Sequence, residues 1–150
     1  MPRPGPTSHT IDHDLLRRAV KKHAKDRWVV LYIERWLKAL AQDEEGHVTE
    51  RGKGTPQGGV SSPLLTNLFL HYAFDGWMQR TYPHLPFERD AEDAMVHCRT
   101  EAEAQEVRAA MAARLQECGL ELHPEKTKIV YCKDDDRQGT YLHEKFDVLE

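Results

Sequence analysis

The chain has 150 residues, 39% hydrophobic and 31% charged, which excludes an intrinsically disordered protein and leaves room for one domain, or part of one, around a buried core. With 21 Lys and Arg against 25 Asp and Glu, a net charge of -4, it is not a globally basic nucleic-acid binder, so any such contact has to rest on local patches. No apolar run has membrane length, no signal-peptide pattern follows Met1, and Cys98, Cys118 and Cys132 are odd in number without paired spacing; they read as reduced thiols in the cytoplasm rather than a disulfide frame or a zinc site.

Pro2, Pro4, Gly5 and Pro6 rule out regular structure before Thr10, and residues 1–10 read as a disordered leader. Asp12 or Asp14 can cap a helix running to about Lys25, with Leu15, Leu16, Val20 and His23 on one side. Arg17, Arg18, Lys21, Lys22, Lys25 and Arg27 crowd the other sides. This densest basic cluster is either a surface for a nucleic-acid backbone or a solvated helix face. A second helix is predicted from Trp28 to Leu40, with Trp28, Leu31, Tyr32, Ile33, Trp36, Leu37 and Leu40 read as core rather than as a base-stacking platform. Between Ala41 and Lys53 the chain is polar, and Asp43-Glu44-Glu45-Gly46-His47 predicts the turn of a hairpin.

Gly54-Thr55-Pro56-Gln57-Gly58-Gly59-Val60-Ser61-Ser62-Pro63 is the most distinctive stretch. Gly58 and Gly59 allow positive φ and close backbone approach, Ser61 or Ser62 can cap a helix, and Pro63 suits its first turn. Leu64, Leu65, Leu68, Phe69, Tyr72 and Ala73 come next at helical spacing. Such a turn is either an ordinary loop-to-helix junction or a place where backbone N–H groups meet an anion, often a phosphate. The helix is expected to end near Tyr82-Pro83, to bury Phe69, Tyr72, Phe74, Trp77 and Met78, and to point Asp75 and Arg80 outward. Glu88, Asp90, Glu92 and Asp93 then form a local acid set, able to attract a cation or to serve as a plain acidic surface turn.

Thr100-Glu101-Ala102-Glu103 is a capping box that opens a helix to Cys118, closed by Gly119 where left-handed geometry is wanted. Ala104, Val107, Met111, Leu115 and Cys118 form its inward stripe. Leu120 to His123 and Ile129 to Cys132 are predicted as short strands on either side of a turn at Pro124 to Lys128, and residues 133–140 as a polar loop. Helices alternating with hairpins predict an α+β fold, with helices packed on one face of an antiparallel sheet.

The order Thr-Pro-Gln-Gly-Gly-Val-x-Ser-Pro-Leu-Leu-x-Asn-Leu-x-Leu, starting at Thr55, resembles the strongest signature of group II intron reverse transcriptases. Ile11-Asp12-His13-Asp14-Leu15-Leu16 is similar to the segment just after that family's first catalytic motif, Phe87 to Asp93 to its Phe-x-Arg-Tyr-Ala-Asp-Asp hairpin, and Gly119 to Lys128 to a later palm motif. The resemblance covers about residues 11 to 148. It implies a palm, with part of the fingers, from a right-hand polymerase that makes DNA on an RNA template from a DNA primer. It places Pro56, Gln57 and Gly58 beside the incoming nucleotide, Glu92 and Asp93 at a magnesium site, and Lys126, or next Lys128, where a lysine protonates departing pyrophosphate.

The chain also departs from that pattern. Counting back from Ile11 puts Arg3 where the first metal-binding aspartate is expected, and the Tyr-Ala-Asp-Asp positions read Asp90-Ala91-Glu92-Asp93. Magnesium needs hard oxygen ligands in near-octahedral array, and the extra methylene of Glu92 displaces one of them. A displacement of about 1 Å can lower a rate by about a hundredfold. The expectation is a degenerate reverse transcriptase fragment, residues 11–150, ending before a thumb, with weak or no activity. The alternatives are a non-catalytic remnant that binds intron or other RNA, and a fragment that needs a second chain.

Overall fold

The computed structural model describes residues 11–39, 41–42, 48–49 and 62–132. Helix α1, His13–His23, starts where Asp12 accepts the Asp14 and Leu15 N–H groups on Oδ1 at 2.9 and 3.0 Å, satisfying donors that no preceding turn can take. Helix α2, Arg27–Leu37, comes after a short break. Strands β1, Ala41–Gln42, and β2, Val48–Thr49, pair antiparallel as the hairpin expected there. Helix α3, Ser62–Leu70, passes into a π-helical turn, His71–Asp75, and then into α4, Gly76–Thr81. Strands β3, Phe87–Asp90, and β4, Asp93–Val96, form a second antiparallel ribbon. Helix α5 spans Glu101–Glu117.

The core is mainly helical. Ile11, Leu16 and Val20 meet Leu37, then Leu65, Phe69, Leu70 and Ala73, and finally Leu115, Cys118 and Leu120, all buried. Burying such side chains is the main favourable contribution, about 1.5–3 kcal/mol for each large aliphatic or aromatic group. Phe74 stands edge-on to Phe87 at 5.5 Å between ring centres, which ties the β3–β4 ribbon to the π turn. The described strands make two separate two-stranded ribbons rather than one sheet layer, so the helices pack largely on each other.

Both ends of α5 close as the sequence predicts. Thr100 Oγ1 accepts the Glu103 N–H at 3.2 Å, and Gly119 takes φ +75°. The N–H groups of Gly119 and Leu120 donate to the carbonyls of Gln116 and Leu115 at 3.0 and 2.8 Å, the paired bonds of a Schellman closure. Within the capping box, Glu103 accepts from Arg99 N–H at 2.7 Å instead of from Thr100, and that bond holds its carboxyl below the usual range.

Several expectations are corrected. Trp28, Leu31 and Tyr32 are 61%, 45% and 65% exposed, because the buried side of α2 centres on Leu37, with Val30, Ile33 and Trp36 packed beside it. His23 lies at the exposed rim of α1, where its Nε2 shares a 2.7 Å hydrogen bond with Tyr72 Oη. Tyr72 and Trp77 are half-buried, and α1 stops at His23 rather than Lys25. No ladder forms at 120–123 or 129–132 among the described residues, although the intervening turn is present; alternation alone makes no strand without a partner alongside. Leu40, the signature turn at 54–61 and residues 133–150 lie outside the described residues.

Candidate active-site hairpin

The β3–β4 ribbon pairs Phe87 with Val96, Glu88 with Met95, Arg89 with Ala94 and Asp90 with Asp93, leaving Ala91 and Glu92 as a two-residue loop. Ala91 has φ 49°, a region that costs a non-glycine residue roughly 1–2 kcal/mol. Along β3 the burial alternates: Phe87 and Arg89 face the helices, while Glu88 and Asp90 face solvent. Glu92 and Asp93 are exposed as well. Asp90 is therefore not buried where the resemblance calls for an aromatic ring, so it meets no desolvation penalty. Its cost is repulsion from Asp93 directly across the ribbon.

Arg89 is the best-held side chain of the ribbon. Its Nε and one terminal nitrogen donate to the two Asp75 oxygens at 2.7 and 2.8 Å. The other terminal nitrogen donates to Asn67 Oδ1 at 2.8 Å and to the Ala91 carbonyl at 2.6 Å. The Arg89 and Asp75 side chains are 12% and 17% exposed, so this is a bidentate pair largely withdrawn from water. Burial pushes the Asp75 carboxyl up, but the hydrogen bonds and charge of Arg89, with His71 behind them, outweigh it and hold the carboxyl below its usual 3.8. Asp75 in turn raises Arg89, against the opposing effect of burial.

Regular helical periodicity puts Asp75 on the outer side of its helix, and the π turn explains why it is not there. The Gly76 N–H donates to the His71 carbonyl, one residue beyond ordinary α reach, which rotates the remainder of the helix. From α5, Arg114 donates to the carbonyls of Ala73 and Tyr72 at 3.1 and 3.5 Å, bracing the irregular turn from outside. Asn67 lies in the glycine-rich signature and Arg89 in the acidic hairpin motif, but no local pattern signals that the two are partners.

The other predicted site residues are dispersed. Lys126 and Lys128 are exposed; the Lys126 N–H donates to His123 Nδ1 at 3.3 Å, and among the described residues no hydrogen bond or ion pair joins it to the hairpin. Pro56, Gln57 and Gly58 lie outside the described residues. Arg17, Arg18, Lys21, Lys22 and Lys25 are all exposed. Arg17 is held by Asp14 at 2.9 Å, and Lys22 lies 4.5 Å over the Tyr72 ring. As for magnesium, no group of three or more His, Cys, Asp or Glu among the described residues could hold a metal. The exposed pair Glu92 and Asp93 does not make up the hard-oxygen cage that a two-metal centre needs.

The sequence matches the family described as reverse transcriptase (RNA-dependent DNA polymerase) over residues 9–146. The chain belongs to the reverse transcriptase family. This family member is also 31% identical over 70 residues, 47% of its length, to a protein of Saccharomyces cerevisiae named for intron 1 of COX1/OXI3. It is 34% identical over 73 residues, 49% of its length, to Protein YkfC of Escherichia coli. It spans only 8% and 19% of the lengths of those two relatives. No helix among its described residues is long and apolar enough to cross a membrane.

Proposed function

We propose that this chain is the palm part of a group II intron type of RNA-directed DNA polymerase, in which the hairpin fold persists while the metal-holding chemistry has decayed. The observation carrying this reading is the contrast inside one ribbon. Arg89 is engaged with Asp75, Asn67 and Ala91, yet among the described residues the acids of the tip join no group of three that could hold a metal. Catalysis of this kind is mostly positioning and charge neutralisation, so a depleted ligand set removes most of the rate enhancement. The group II signature at Thr55 to Leu70 supports the intron type, and the yeast relative is itself named for an intron.

The test is primer extension on an RNA template with magnesium and then manganese, comparing the chain with Asp93→Ala. Little or no extension in either metal is the expected result. Robust extension that disappears in Asp93→Ala overturns the decay, because it requires a working site built on Asp93.

A second reading, a non-catalytic RNA binder, is favoured by the face of α1. Arg18, Lys21 and Lys25 are exposed and enter no ion pair among the described residues. RNA affinity should then fall with salt, and replacing each contacting cation by Ala should reduce the salt slope by about 1. A slope untouched by those changes rejects this face as the RNA surface.

A further inference from the structure

We infer that Arg89 is the positioning residue of the hairpin: Asp75 and Asn67 aim its guanidinium at the Ala91 carbonyl, which fixes where Glu92 and Asp93 stand relative to α3. The guanidinium is a planar fork whose donors cannot be moved independently. Two of its nitrogens are committed to the two oxygens of Asp75 at 2.7 and 2.8 Å, which sets the plane. Once the plane is set, the remaining nitrogen has a fixed place, and from there it reaches both Asn67 Oδ1 at 2.8 Å and the Ala91 carbonyl at 2.6 Å.

The Ala91 bond holds a residue whose φ of 49° is unfavourable for alanine. Release of that carbonyl frees the loop to leave this conformation, and Glu92 and Asp93 come directly after it in the chain. Asn67 belongs to α3, which follows Pro56-Gln57-Gly58 in the sequence, so the same guanidinium ties that helix to the acid tip. A lysine at position 89 keeps the charge but lacks the fork, and can set neither the plane nor both contacts together.

The consequence for chemistry rests on the proposed polymerase site, whereas the order of the tip does not. The test is therefore backbone 15N relaxation on the full chain, without nucleotide or metal, for the wild type, Asn67→Ala, Asp75→Asn, Asp75→Glu and Arg89→Lys. Order parameters at Ala91 and Glu92 should fall from about 0.85 to below about 0.6 in Asn67→Ala, Asp75→Asn and Arg89→Lys. Val107 and Leu115 in α5 should stay unchanged, and Asp75→Glu should recover part of the loss. A tip that keeps its order in all these variants overturns the inference. So does loss of order that spreads equally to α5, which is general destabilisation. If Arg89→Lys does not fold, Asn67→Ala decides alone, since it leaves the ion pair intact. Robust primer extension by the wild type would overturn the proposed decay of the metal site and leave this result untouched.

Discussion

Helix α5 and the α3–π–α4 run are both long helical stretches, yet they are held in opposite ways. At its N-terminus α5 closes between residues three apart, Thr100 and Glu103, and at its C-terminus between residues five apart, Leu115 and Leu120. The α3–π–α4 run is fastened from far away. Asp75 meets Arg89 fourteen residues on, Asn67 meets it at twenty-two, and Arg114 reaches Ala73 from forty-one. The end caps of the first helix need only residues of its own terminal turns. The second has its particular shape only when the ribbon and α5 are in place.

The largest test of that contrast is Asp75→Ala. It leaves the Arg89 guanidinium, 12% exposed, without its main partner, and should cost about 3 kcal/mol in urea denaturation. The same pair sets an acid limit. The folded-state carboxyl lies below its usual 3.8, so its contribution is present in full above that value and is lost as pH falls further, through the folded-state value. An acid transition that is unchanged in Asp75→Ala would show that the pair does not set the limit. Gly119→Ala probes the locally closed helix. Nothing lies within 4 Å of the added Cβ, so the loss should come from the backbone alone, about 1–2 kcal/mol. A much larger loss would mean that α5 also depends on distant contacts. The smallest effect has the opposite sign. Ala91→Gly relieves the positive φ while adding freedom to the unfolded chain, for a net gain of about 0.5 kcal/mol. A loss instead would show that the Ala91 methyl is needed for packing.

This division also explains what is legible in the sequence. Asp12, Thr100 and Gly119 are readable because each closes a hydrogen bond inside its own turn of helix. The ribbon around Glu92 and Asp93 is readable because the family resemblance spells it out. Asp75 is not, because strict 3.6-residue periodicity puts it outside and nothing local announces a π turn. Trp28 misleads because bulk suggests burial, whereas the helix turns the Leu37 side inward. The segments on either side of Pro124 have the alternation of strands, but pairing depends on a neighbour that no short stretch can specify.

The π turn at His71–Asp75 makes this helix one residue longer than a regular path between the same endpoints would require. Removing that residue would give a more regular helix, and by ordinary helix-forming standards a better one. Everything beyond the cut would then swing by about 100°, one residue's share of a 3.6-residue turn, and the carboxylate would no longer meet its guanidinium. The segment should therefore tolerate changes of letter far better than changes of length. A single-codon deletion here would do more damage than most point substitutions in the same helix, because it shifts the phase along which the rest of the helix is read.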